Sequence, residues 1–191
     1  MEINRIGESI LHFNYPTAQK MHDAGNRFHV YYEDPIHKGS MQYDTQEWSG
    51  YNYPRGVITS VSPTELTEAE QELQSWAHQY PNHYIILTYQ NPAINRTLMH
   101  ETAHALYSTN PSFREEVLAV LKKRDLSAIK DRLYKYDDEV FLDEVQAYLI
   151  EWNKMEKKLG SDADSYLLTH RELLRIYNRY AARLHRVPLS S

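Results

Sequence analysis

The pentapeptide His100-Glu101-Thr102-Ala103-His104 restricts the fold of this chain more than any other stretch. It reads H-E-x-x-H, and two histidines four residues apart share one face when the segment is an α-helix. Both imidazoles can then bind a single metal ion. The glutamate between them is placed to take a proton from a water bound to that metal. The pentapeptide therefore predicts a helix that carries a metal site.

The residues around the pentapeptide favour such a helix. Asn91 offers an N-cap and Pro92 a first helical residue, and Asn110-Pro111 predicts where the helix ends. The two histidines face away from the apolar side of the predicted helix, towards an open cleft. That apolar side consists of Ile94, Leu98, Met99, Ala105 and Leu106.

Patterns elsewhere predict an α+β fold, in which a small N-terminal mixed or antiparallel sheet is followed by an all-helical C-terminal half. Strands are predicted within 8–14 and at 27–33, 56–61 and 84–89, with a long irregular stretch at 34–55. A short helix at 17–24 should end at Gly25. Thr67 and Glu70 fit a capping box at the start of a helix at 67–79. Further helices are predicted at 112–123, 127–136, 138–158 and 162–186.

Composition narrows the kind of protein and of metal site. The 191 residues fit one domain, and a net charge of -5 argues against a nucleic-acid partner. Because the chain has no cysteine, any metal ligand must be His, Asp or Glu, which favours a catalytic over a structural zinc site. The sequence shows no apolar run of ~18 residues and no signal-peptide pattern. We therefore expect no membrane partner, and a protein that is cytoplasmic or exported by a non-classical route.

The third ligand has to come from another element, because a catalytic zinc site has three protein ligands and an open position. The predicted helix at 138–158 offers Glu139, Asp143, Glu144 and Glu151. At about 100° per residue, Glu144 falls on the apolar face of this helix, whereas Asp143 falls outside it. A carboxylate on an apolar face is costly unless it is paired or binds a metal. Glu144 is therefore the predicted third ligand, and a salt bridge to Arg or Lys is the alternative.

The chain resembles the gluzincin class of zinc metallopeptidases in three stretches: the H-E-x-x-H pentapeptide, the strand 84–89 before it, and the segment Asp143-Glu144-Val145-Gln146-Ala147-Tyr148. The small-domain layout is most similar to the anthrax-lethal-factor and Pro-Pro endopeptidase group. The resemblance implies one zinc per chain, held by His100, His104 and Glu144. It also implies an endopeptidase that hydrolyses a peptide or protein substrate through a metal-bound water activated by Glu101. In that class the strand before the motif helix often receives the substrate as an added strand.

The resemblance also implies a donor for the oxyanion that develops on the scissile carbonyl. Tyr136 is the first candidate, followed by Tyr134 and His170. The histidine also lies on the apolar face of the last predicted helix, where a hydrogen-bonded core residue is the alternative. Relatives place a tyrosine seven residues before the ligand glutamate, and Tyr136 stands at that distance from Asp143. The sequence therefore leaves Asp143 open as an alternative ligand.

Asp143 and Asp137 are also candidates for orienting a ligand histidine.

Two further interpretations compete with a peptidase. The first is a zinc-binding H-E-x-x-H regulatory protein or pseudo-enzyme without turnover. The second is an α+β interaction protein in which the motif is accidental. The intact Glu101 favours an enzyme over a pseudo-enzyme, because metal binding alone needs no general base.

Overall fold

The computed structural model describes residues 1–33, 37–43, 48–133 and 138–189. The chain forms two compact units, one made of residues 1–101 with 184–191 and the other of residues 102–183. The prediction of an α+β fold is confirmed, with a mixed sheet near the N-terminus and a mostly helical second half. The prediction of a single domain stays a prediction.

The strands are β1 (Glu2–Ile6), β2 (Ile10–Tyr15), β3 (Gly50–Pro54), β4 (Tyr84–Tyr89) and β5 (Arg186–Leu189). The helices are α1 (Ala18–Glu33), α2 (Arg55–Thr59), α3 (Glu68–Gln79), α4 (Ile94–Thr109), α5 (Pro111–Leu121), α6 (Ser127–Arg132), α7 (Asp138–Glu151), α8 (Asn153–Leu159) and α9 (Leu167–Ala181). Short 3₁₀ turns lie at Pro63–Glu65 and Gly160–Tyr166.

All five strands belong to the first unit and form one sheet in the order β3-β4-β2-β1-β5. Strands β2 and β4 are parallel, and the other pairs are antiparallel. The strand before the motif helix, β4, is therefore paired on both sides. Among the described residues, β3 is the last strand of the sheet next to β4. The expectation that β4 receives an added strand is wrong, because both of its edges are occupied.

The two faces of the sheet differ in polarity, since successive side chains of a strand point to opposite faces. One face carries Leu11, Phe13, Ile85 and Leu87, which pack with α1 and α3 in the main core. The other face carries buried polar side chains, namely Asn4, His12, Asn14, Asn52 and Thr88. These polar groups require hydrogen-bond partners, which fixes side-chain positions on this face more narrowly than apolar packing does.

The helix predicted at 17–24 is present but does not end there, and the strand predicted at 27–33 is wrong, because α1 continues through both stretches. Gly25 does not end the helix. A Cβ at this position would lie 2.7 Å from Leu87 Cδ2 and 2.9 Å from Tyr51 Cδ2, so glycine is needed where α1 approaches the sheet. Phe28 and Val30 are both buried. Their alternating pattern, which suggested a strand, is therefore compatible with a helix whose faces are both covered.

Three other elements differ from the sequence predictions. The predicted strand at 56–61 is wrong, since Arg55–Thr59 is the short helix α2. Strand β3 lies inside the stretch predicted to be irregular. It was not predicted because Gly50 and Pro54 are residues that usually interrupt a strand, although both are tolerated at the ends of a strand. The C-terminal half is not all-helical, because β5 follows α9 and pairs with β1.

In the second unit, α5, α7 and α9 pack on one another. The helix predicted at 138–158 is broken at Trp152, whose φ of 64° separates α7 from α8. The helix predicted at 162–186 begins as a 3₁₀ turn and ends at Ala181. Among the described helices, none combines the length and the apolar composition needed to cross a membrane.

Candidate metal centre

Helix α4 carries the H-E-x-x-H pentapeptide, as predicted. The Asn91 side chain accepts a hydrogen bond from the Ala93 backbone N–H at 2.8 Å, which supports the turn that leads into the helix. The helix begins at Ile94 and ends at Thr109. His100 and His104 are one turn apart on it, so they share a face.

The structure brings together the three predicted ligands, which lie on α4 and α7. His100, His104 and Glu144 each offer one ligand atom, and these atoms all lie within 4.8 Å of one another. Glu144 Oε1 is 3.8 Å from His104 Nε2, and both side chains are buried. The ligand atoms of a tetrahedral zinc are about 3.4 Å apart, so small side-chain rotations would close this group around one ion. The donor set therefore fits a zinc ion.

Asp143 contacts the other ring nitrogen of His104. Its Oδ1 lies 2.9 Å from His104 Nδ1, and Gln146 Nε2 donates to the same oxygen at 3.0 Å. Because a carboxylate only accepts hydrogen bonds, a neutral His104 ring carries its proton on Nδ1. The lone pair then lies on Nε2, the atom that faces Glu144. This arrangement favours Glu144 as the ligand and Asp143 as the residue that orients the ring.

Glu101 is buried and contacts the polar face of the sheet. Asn52 Nδ2 donates to Glu101 Oε2 at 2.8 Å, and the Tyr84 hydroxyl donates to Asn52 Oδ1 at 2.5 Å. A Cβ at Gly50 would lie 2.7 Å from Glu101 Oε1. The sequence patterns predicted no role for Gly50, Asn52 or Tyr84, because their contacts depend on how β3 packs against α4 and pairs with β4. The only available signal was a Gly-x-Asn pattern inside a stretch predicted to be irregular.

Of the predicted oxyanion donors, His170 alone belongs to the residues that the structure describes. Tyr134, Tyr136 and Asp137 lie outside the described residues. His170 Nδ1 lies 2.7 Å from the Leu149 carbonyl oxygen, and its ring stacks on Trp152 with centroids 4.8 Å apart. These contacts fit the alternative of a hydrogen-bonded core histidine. A catalytic role for His170 stays a prediction.

The pKa values of Tyr107 on α4 and Tyr177 on α9 are raised above the usual tyrosine value. Burial raises the pKa of Tyr177 to about 12, even though a hydrogen bond with Thr102 of α4 opposes this shift. Burial also raises the pKa of Tyr107, with a further increase from the nearby Asp143 carboxylate and an opposing effect of Arg114. Both hydroxyls therefore stay protonated at neutral pH and are able to donate hydrogen bonds.

Comparison of the chain with models of protein families, with curated proteins and with solved structures finds no match. The resemblance to gluzincins therefore stays a prediction.

Proposed function

We propose that this chain is a zinc-dependent endopeptidase of gluzincin type. The grouping of His100, His104 and Glu144 carries the proposal, because the two helices bring together a ligand set of the kind that catalytic zinc sites use. Asp143 supports it by fixing the ring of His104. The motif glutamate, Glu101, follows directly after a ligand histidine on the same helix.

Zinc held by these three side chains would supply Lewis acidity, which makes water more acidic and polarises a peptide carbonyl. Glu101 takes the proton from the attacking water while the water oxygen forms a bond to the carbonyl carbon. The C–N bond then breaks, and Glu101 delivers that proton to the leaving amine. The chain's own contribution is therefore a base whose carboxylate is already held in place by Asn52.

The substrate we propose is an extended peptide that pairs with the outer edge of β3. Among the residues that the structure describes, β3 is the last strand of the sheet beyond β4, and its Gly50 approaches the Glu101 side chain. An edge strand offers backbone N–H and C=O groups to a further strand, which gives affinity for a peptide with little dependence on sequence. Specificity would then come from side chains next to the edge.

A zinc-binding regulatory protein is the second candidate. The burial of Glu101 and its hydrogen bond with Asn52 favour it, because a structural glutamate would show the same contacts. The two candidates differ in whether Glu101 has to transfer a proton.

The variant Glu101→Gln distinguishes them, because glutamine keeps the shape and can still bond to Asn52 but cannot act as a base. Cleavage of a diverse peptide library should be measured with the wild type and this variant, both loaded with one equivalent of zinc. The peptidase proposal predicts cleavage by the wild type and a loss of at least about 100-fold in the variant, with zinc content unchanged. Library cleavage that survives Glu101→Gln, or a zinc-loaded wild type that cleaves nothing, would contradict it.

A further inference from the structure

We propose that Asn52 is a positioning residue for the catalytic base, and that Tyr84 fixes Asn52 in the required orientation. This inference rests on the proposed peptidase function, and it concerns two side chains that the motif does not contain. Both belong to the sheet, on β3 and β4.

The hydrogen bonds define the direction of the Asn52 amide. The carboxylate of Glu101 can only accept, so the amide atom that faces it at 2.8 Å has to be Nδ2. The carbonyl atom Oδ1 then faces Tyr84, whose hydroxyl donates to it at 2.5 Å. If the amide were reversed, two acceptors would meet at Glu101. The Glu101 carboxylate therefore selects the orientation in which Asn52 donates to the base, and the Tyr84 hydroxyl holds the amide there by donating to Oδ1.

Strand register explains why these side chains meet. Asn52 pairs with Ile86 across β3 and β4, and Tyr84 pairs with Pro54. Tyr84 and Asn52 are therefore diagonal neighbours on the same face, a separation that an aromatic side chain can span. Gly50 lies two residues before Asn52 on that face, where the missing side chain makes room for Glu101.

The consequence of these contacts is a carboxylate with restricted rotation. A general base has to lie within hydrogen-bond reach of the proton it takes, and misplacement by about 1 Å can lower a rate about 100-fold. Asn52 holds Oε2 from the sheet, while the helix holds the backbone of Glu101. The base is thereby fixed from two directions before a substrate arrives.

The test compares kcat, KM and zinc content for Asn52→Leu, Tyr84→Phe and the double variant. Removal of the amide donor should lower kcat about 30-fold or more, and removal of the tyrosine hydroxyl should lower it about 5- to 10-fold. Zinc content should stay near one per chain, and KM should change less than twofold. Because Tyr84 acts through Asn52, Tyr84→Phe should have almost no effect on kcat in the Asn52→Leu background.

Tyr53→Phe is the matched control. This tyrosine lies on the opposite face of the same sheet and donates to the Gly25 carbonyl at 2.6 Å, so the variant loses a buried hydrogen bond of the same kind. Its kcat should equal that of the wild type. The positioning role is refuted if Tyr53→Phe lowers kcat as much as Tyr84→Phe does. It is also refuted if the decreases in kcat caused by Asn52→Leu and by Tyr84→Phe multiply in the double variant.

The outcomes also separate this inference from the function on which it rests. Normal kcat in Asn52→Leu, together with loss of turnover in Glu101→Gln, would overturn the inference and leave the peptidase proposal intact. A wild type without zinc-dependent cleavage would overturn both. Loss of zinc in Asn52→Leu would also overturn the inference, because it would show that Asn52 supports the metal site as a whole.

Discussion

The close approach of Gly50 to Glu101 predicts a large effect for the single variant Gly50→Ala. The added Cβ would lie 2.7 Å from Glu101 Oε1 and 2.8 Å from Thr97 Cγ2, whereas ordinary contacts begin at 3.4 Å. The Glu101 carboxylate therefore has to move by about 0.7 Å, which is 3.4 − 2.7. A displacement of that size should lower kcat on the order of 10- to 100-fold.

The same variant should change stability only moderately. Overpacking costs about 1–3 kcal/mol, and the reduced freedom of the unfolded chain offsets about 0.4–1 kcal/mol of it. The assay is steady-state cleavage of one library-derived peptide, combined with urea unfolding of the same preparations. Gly56→Ala is the matched control, because a Cβ there would meet nothing within 4 Å. A Gly50→Ala variant with the kcat of the wild type would refute the proposed effect of this contact on the position of Glu101.

Two further predictions follow from contacts of single side chains. Asp143→Ala should weaken zinc affinity about 10- to 100-fold, measured by competition with a chelator, yet leave one zinc per chain at saturation, because it orients His104 without being a ligand. A loss of stoichiometric zinc would instead make Asp143 the ligand. Burial, assisted by Arg186, lowers the pKa of His12 from 6.5 to about 3, so the folded state binds fewer protons than the unfolded state between these values. The free energy of unfolding should therefore fall as the pH drops below about 6.5, by up to about 1.4 kcal/mol per pH unit, and His12→Gln should flatten this dependence in urea unfolding. Equal pH dependence in both proteins would contradict the buried neutral state of His12.

Patterns that are local in sequence predicted their elements well. The spacing of Thr67 and Glu70 predicted the start of α3, where both hydrogen bonds of the capping box are present. The apolar run at Tyr84–Tyr89 predicted β4, and the pentapeptide predicted α4. Helical periodicity also predicted that Glu144 lies on the buried side of its helix, and the side chain is buried and groups with the two histidines. Its role as a metal ligand stays a prediction.

Features that depend on distant partners could not be predicted in this way. Strand β3 has only five residues, and its Gly50 and Pro54 are typical of a loop. The pairing with β4 that stabilises it is not visible in the local sequence. The strand predicted at 27–33 failed because Phe28 and Val30 are both buried although they lie on different sides of α1, so that their spacing of two residues resembles a strand. The contact between Asn52 and Glu101 joins a strand to a helix across 49 residues, and the contact between Asn52 and Tyr84 requires the exact register of β3 and β4. Single-sequence patterns specify neither.

The zinc content of the purified protein after reloading, measured for the wild type and for His104→Ala and Glu144→Ala, tests the proposed metal site most directly. We expect close to one zinc per chain in the wild type and a loss of bound zinc in both variants, since each removes one of the three proposed ligands. Circular dichroism of the same samples should show folded protein in every case. A folded wild type that takes up no zinc, or a Glu144→Ala variant that binds it as tightly as the wild type, would contradict the central claim.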